Sequence, residues 1–223
     1  MDSKLFIQAI VKYLVGLLLF SALLFIPAGT VNYWNGWLLM GILFVPILLV
    51  GIFLAIKNPV LLRKRLNSKE EQSEQKSVLI VGSLMFLSGF IVAGLDFRYQ
   101  WLAIDPWVVV VATIVFIMGY LIYVEVLREN IYLSRTIEIQ ENQQVVSTGL
   151  YGIVRHPMYT ATLVLFLSMP LVLGSFFSFL IFLIYPVLIA KRIRNEEIVL
   201  ERSLEGYSKY KEQVKYRLIP FIW

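Results

Sequence analysis

The sequence predicts an all-α integral membrane protein of about six transmembrane helices, the last two a short hairpin, followed by a cytosolic C-terminal helix. Three observations carry that prediction. Of 223 residues, 59% are hydrophobic and only 16% are charged, against about 25% charged in a soluble domain. Mean hydropathy is +0.76. The apolar residues also come in charge-free runs of the length that crosses a hydrocarbon core, about 20 helical residues. Buried helices of soluble proteins rarely carry such runs, so a soluble bundle is the weaker alternative.

The first span covers about Tyr13 to Ala28 and reaches back to near Leu5 if Lys12 snorkels to the interface. Lys4 and Lys12 ahead of an apolar run resemble a signal peptide. No small-x-small cleavage pattern follows: Pro27-Ala28-Gly29-Thr30 leads into Tyr33, Trp34 and Trp37, so this reads as an uncleaved span. Trp37 to Ile56 forms the second span. Val78 to Leu95 and Trp107 to Val124 form the third and fourth. Pro157 to Ala190 is too long for one crossing. Pro170 and Gly174-Ser175 divide it into a tight hairpin of two short spans. Two polar stretches remain. Asn67 to Lys76 reads as a solvated linker, and within Glu129 to Thr148 the alternation Thr136-Ile137-Glu138-Ile139-Gln140 reads as a short strand. No internal repeat stands out. Residues 1–128 supply the N-terminal transmembrane helices and 129–223 a C-terminal region with the hairpin, as one integrated unit.

Lys and Arg in the short loops set the orientation. Lys57, Arg63, Lys64, Arg65, Lys69 and Lys76 follow span two. Arg128, Arg135 and Arg155 follow span four, and Lys191, Arg192, Arg194 and Arg202 follow the hairpin. The loop after span one has no basic residue, and the loop after span three has only Arg98. Both termini and the His156 region are therefore expected on the cytoplasmic side. Trp34, Trp37, Tyr99, Trp101 and Trp107 form an aromatic belt on the other.

Composition excludes several chemistries. There is no cysteine and one histidine, which removes thiol chemistry and leaves no plausible zinc or haem site. No metal is expected. The net charge of +5 reads as topology, and no basic stripe with interleaved aromatics points to nucleic acid. Walker A, Gly-x-Gly-x-x-Gly and Gly-x-Ser-x-Gly patterns are all missing. Intramembrane acids are few, Glu125 being the main one, where an ion-coupled transporter needs more.

The sole histidine stands in Arg155-His156-Pro157. Proline favours the first helical position, which puts His156 at the N-cap of the fifth span, beside free N–H groups and the positive end of the helix dipole. It either caps the helix or helps bind an anionic group there. Downstream, Ile193, Leu200 and Leu204 fall on one helical stripe that also takes in Glu197, with Glu196 flanking it and Arg192 one turn earlier. A carboxylate on a packing face needs a partner or a ligand. The alternative is a surface Arg–Glu pair. Tyr207 and Tyr210 share a face, either as an interfacial helix or as a lid over a site.

Val146-Ser147-Thr148-Gly149-Leu150-Tyr151-Gly152-Ile153-Val154-Arg155-His156-Pro157-Met158-Tyr159, then the apolar hairpin, then Arg192-Ile193-Arg194-Asn195-Glu196-Glu197, then Gly206-Tyr207 and Tyr210, together resemble the isoprenylcysteine carboxyl methyltransferase superfamily. Related phospholipid N-methyltransferases belong to the same group. The resemblance covers about Glu125 to Trp223. It implies a membrane methyltransferase using S-adenosylmethionine in a cytosol-facing pocket, with 129–223 as the S-adenosylmethionine-binding catalytic region. His156, Pro157 and Tyr159 would contact the cofactor, and Gly149 and Tyr151 would shape the approach. Glu196 and Glu197 would hold its polar groups. Arg192 and Glu197 are the implied catalytic pair, Arg192 orienting an acceptor carboxylate such as that of an isoprenylcysteine-like compound. The implied partners are the lipid bilayer and a lipophilic acceptor arriving sideways between helices. Leu150 stands where proline is common, Ala161 where glycine is common, and Lys215 where a proline often follows the valine. Lys215 falls in the lid that helps define the acceptor, which stays open. Methyl transfer from a sulfonium is an in-line displacement needing neither metal nor covalent intermediate, and a chain this poor in nucleophiles can perform it by positioning and desolvation. Sterol reductases resemble the superfamily in their C-terminal helices. The alternative is thus an NADPH-dependent membrane reductase, with Arg155, Lys191, Arg192 and Arg194 meeting the cofactor's phosphate.

Overall fold

The computed structural model describes residues 3–66, 73–133 and 141–223. Its elements are α1 (Ser3–Ala28), α2 (Trp34–Lys57), α3 (Pro59–Leu66), α4 (Ser73–Tyr99), α5 (Pro106–Glu129), a 3₁₀ turn (Gly149–Gly152), α6 (Pro157–Val172), α7 (Phe176–Phe182), α8 (Tyr185–Ser203) and α9 (Tyr207–Gln213). Among the described residues there is no strand; the expected strand at Thr136–Gln140 lies outside them. The fold is all-α, with five helical stretches long and apolar enough to cross a membrane and the 16-residue α6 beside them.

The spans run longer than the charge-free cores. α1 begins at Ser3, so Lys4 and Lys12 ride on its first turns. α4 begins at Ser73, inside the stretch expected as linker. Glu and Gln are good helix formers, and Gln75 is already buried. The remainder of that linker, Asn67 to Gln72, is not described. α3 is a further departure: Asn58 Oδ1 accepts the Leu61 N–H at 3.1 Å and Pro59 opens the helix, a capped start where only a basic loop was expected.

The hairpin turns at Leu173-Gly174-Ser175, with Gly174 at φ +73°. Pro170 stays inside α6, so glycine rather than proline makes the break. Tyr33 donates to the Leu173 carbonyl at 2.6 Å, Asn35 Nδ2 to the Val172 carbonyl at 2.9 Å, and Ser175 Oγ to Asp96 Oδ2 at 2.6 Å. These bonds satisfy the turn's polar groups where water is scarce. The returning limb is two helices, α7 and α8, with a turn at Leu183-Ile184.

α1 lies along α4 and α2, α6 along α5, and α4 also carries α7 and α8. Small residues permit the close approaches: a Cβ on Gly94 would lie 2.6 Å from the Leu24 carbonyl, and one on Gly119 3.1 Å from Leu165. The core closes around Leu24, Leu39, Phe116, Val172, Phe182 and Ile193. Outside it, Leu18, Leu49, Leu121 and Val187 are each more than 60% exposed. A surface that apolar matches lipid as its solvent.

Candidate functional site

The site forms where the end of α5, the start of α6, the polar half of α8 and the chain after it converge. Gly149 opens the 3₁₀ turn at φ +52°, a conformation that favours glycine. Glu129, the last residue of α5, wraps against it and accepts the Leu150 N–H at 3.0 Å. A Cβ on Gly149 would fall 1.4 Å from Glu129 Oε1. Asn130 Nδ2 donates to the Tyr151 hydroxyl at 2.9 Å, and the Tyr210 hydroxyl to the Tyr151 carbonyl at 2.7 Å. Tyr151 is thus held from both sides.

His156 occupies the N-cap position of α6 as expected, with Pro157 at the first helical position. Its ring does not cap the helix. Nε2 lies 3.3 Å from Glu197 Oε1. The same oxygen accepts from Arg155 Nε at 2.7 Å, while Oε2 accepts from Arg217 Nε at 2.9 Å. Arg155 Nη1 also donates to the Val214 and Lys215 carbonyls, both at 2.8 Å. The backbone reinforces this closure. Arg155 N–H donates to the Tyr216 carbonyl and His156 N–H to that of Arg217, each at 2.9 Å. Glu197 is therefore a buried three-way clamp joining α8, the start of α6 and the tail. Such a carboxylate is tolerable because the Arg155 and Arg217 guanidinium groups that pair with it are charged and fixed.

One residue before Glu197 on α8, the geometry opens outward. Arg192 Nε donates to the Tyr159 hydroxyl at 2.9 Å, and that hydroxyl donates to Glu196 Oε2 at 2.5 Å. These three line a solvent-open cleft with about 870 Å³ of empty space, its open side included. Tyr151, Arg155 and His156 share its wall with Met158, Leu200, Tyr207 and Tyr210. Of the residues the sequence singled out, Tyr151, His156, Tyr159, Arg192 and Glu196 meet on this cleft. Glu197 sits behind it, Pro157 positions His156, and Gly149 shapes the turn below.

Tyr207 is buried, and its hydroxyl has no hydrogen-bond partner among the described residues. Burial pushes its ionisation upward, and the Glu197 and Glu196 carboxylates push it further. Tyr210 is raised chiefly by burial as well. Both phenols stay neutral donors at physiological pH.

Sequence reading missed Glu129, Asn130, Met158 and Arg217. The first two mark the point where the apolar run of α5 gives way to polar residues. For Arg217 no periodic signal exists, because an irregular tail delivers it.

Residues 106–206 match the family model described as phospholipid methyltransferase. The mouse (Mus musculus) Delta(14)-sterol reductase TM7SF2 is 30% identical over 91 residues, which are 40% of this chain. The match spans 22% of that reductase's length. The cleft-lining residues on α6 and α8 lie inside the matched region, and residues 106–206 belong to the superfamily of membrane methyltransferases that unites the isoprenylcysteine carboxyl and phospholipid enzymes.

Proposed function

We propose that this chain is an S-adenosylmethionine-dependent methyltransferase acting on a lipophilic acceptor, with the donor in the cleft above Tyr159. The Arg192–Tyr159–Glu196 hydrogen-bond chain on the cleft wall, beside the partnerless Tyr207 hydroxyl, is the observation that carries this reading. The donor set fits the cofactor. The Glu196 carboxylate suits ribose hydroxyls or an ammonium group. The aromatic faces of Tyr159 and Tyr207 suit a cation, and Leu200 and Leu204 suit an adenine. When bound, the cofactor supplies a methyl group on a sulfonium; the acceptor's electron pair forms the new bond as the carbon–sulfur pair returns to sulfur, leaving a neutral thioether.

The remaining work belongs to the protein. His156 lines the cleft at the start of α6 and meets the ligand there, with Pro157 setting its position. Tyr159 and Glu196 bind and orient the donor. Arg192 orients the acceptor, which is a carboxylate in the isoprenylcysteine-like case and an amine in the phospholipid case. Glu197 supports catalysis by fixing His156. Tyr207 and Tyr210 exclude water, which strengthens every charge interaction inside. All cleft-lining residues fall between Asn130 and Tyr210, which supports 129–223 as the catalytic region, built onto the spans of 1–128. Alternation of basic loops supports a cytoplasmic side for this end of the bundle and both termini.

The similarity to a sterol reductase keeps an NADPH-dependent reductase as the second reading. Of the four basic groups proposed to meet that cofactor's phosphate, Lys191 and Arg194 do not line the cleft, and Arg155 spends three hydrogen bonds on Glu197 and two backbone carbonyls. That favours methyl transfer. Incubating purified protein with a labelled methyl donor and a total lipid extract tests it. Label in a lipid product supports the reading, and transfer to no lipid under conditions of proven donor binding defeats it.

A further inference from the structure

A second cavity opens on the same end of the bundle, lined mostly by residues that precede the region matching the family model. α1 and α2 part along their site-end halves, and α3 and α5 form the floor. The walls are apolar: Phe6, Ile10, Phe44, Leu48, Ile52 and Tyr120 among them. With its open side the groove holds about 1300 Å³. It runs from Phe6 to Gly16 on α1, about 15 Å of helix, which is half of the roughly 30 Å hydrocarbon thickness. It therefore serves one leaflet. Ile10, Ile47, Leu48 and Ile52 are exposed along the mouth, so the opening faces lipid sideways.

Two features keep the groove empty of side chains and charged at one end. Gly51 lines it, and a Cβ there would meet nothing within 4 Å; one on Gly16 would just touch Phe44 at 4.0 Å. The charged residues of the lining are Lys12 and Arg65. Lys12 Nζ donates to the Leu66 carbonyl at 2.6 Å, and Arg65 Nη2 donates to the Tyr123 hydroxyl. Arg65 Nη1 lies 3.9 Å from Met158 Sδ, and Met158 lines the polar cleft. The basic end of the groove and the cleft thus lie side by side, with the flexible Met158 thioether between Arg65 and the cleft.

We propose that this groove binds the hydrocarbon chain of a lipid-soluble anion drawn from the adjoining leaflet, its acidic head held by Lys12 and Arg65 beside Met158. Resting on the methyltransferase reading, this bound anion is the methyl acceptor, poised to reach the cleft when Met158 moves aside. A carboxylate and a phosphate share the chemistry that Lys12 and Arg65 recognise, and an amine head would be repelled.

Photolabelling tests this without requiring turnover. The protein, in phosphatidylcholine nanodiscs, is exposed to three diazirine-bearing C16 probes that differ only in head group: carboxylate, monophosphate and amine. Label should map by mass spectrometry to α1 and α2 between Phe6 and Ala55, with at least one anionic probe exceeding the amine by about tenfold, because like charge at the site is costly. Gly51→Leu should cut that labelling about tenfold by filling the groove. Gly16→Leu, on the facing helix, should do the same, and neither should change the donor's dissociation constant. Equal labelling by all three heads, or labelling that survives both leucine variants, overturns the proposal. Selective labelling of the groove in a protein that never binds the methyl donor sustains the site while removing its acceptor role, so the two readings fail separately.

Discussion

The Glu197 carboxylate meets the Arg155 guanidinium at 2.7 Å, with both side chains about 95% buried. Glu197 lies on α8 and Arg155 in the turn before α6, and their pairing brings the Arg-His-Pro turn against the acidic helix. Removing one partner of such a pair strands the other charge and costs about 3–5 kcal/mol. Glu197→Ala should therefore lower the unfolding midpoint markedly and lose donor binding with it. Glu197→Gln, which keeps the shape, should lose less. Thermal unfolding of both variants checks this; an unchanged midpoint in Glu197→Ala would refute the clamp.

Tyr159 links Arg192 to Glu196. Tyr159→Phe deletes one hydroxyl that both accepts and donates, and should weaken donor binding about tenfold, near 1.4 kcal/mol. Arg192→Ala should instead fall mainly on turnover with acceptor. Calorimetric binding alongside steady-state rates separates the two, and equal effects on both parameters would contradict the division of roles.

Tyr207 carries a buried hydroxyl without a partner among the described residues, which costs about 1–3 kcal/mol in the ligand-free protein. Tyr207→Phe should leave the unfolding midpoint unchanged or raise it, while loosening the donor. The pH dependence has a definite sign. The folded-state ionisation is raised above the ordinary value of 10.0, so the neutral phenol is preferred by the fold. The associated stability is full below about pH 10 and is lost as pH rises further. Unfolding measured from pH 8 to 11 should show a shallower alkaline loss in Tyr207→Phe than in the parent.

Gly149→Ala combines a left-handed backbone with a collision against Glu129. The backbone component alone costs about 1–2 kcal/mol. Adding Glu129→Ala should relieve the collision and recover part of the lost stability. No recovery in the double variant would mean that Glu129 is not the obstacle.

The chain has no cysteine, so single cysteines can be introduced without background. Positions at Arg63 and from Glu201 to Lys215 should react with impermeant reagent from the cytoplasmic side alone. Reaction from the opposite side would reverse the assigned orientation.

Much of this was legible in the residues. Charge-free runs marked the spans because lipid admits few charges. Gly174 marked the hairpin, and the Arg-His-Pro and Glu-Glu segments marked two walls of the cleft. The limits of legibility are equally physical. Helical periodicity put Glu197 on a buried face but could not say that Arg155, His156 and Arg217 would share it, because those contacts join remote segments. α3 was hidden by its basic residues, which read as loop although Asn58 and Pro59 start a helix. The collision at Gly149 depends on where α5 ends in space. The groove between α1 and α2 is a property of two helices parting, which neither sequence announces alone.

Calorimetric titration of the purified protein with S-adenosylmethionine, its demethylated product and NADPH tests the central claim most directly. The account predicts saturable binding of the first two, weakened by Tyr159→Phe, and no binding of NADPH. Saturable NADPH binding with no response to either sulfur nucleotide would contradict it.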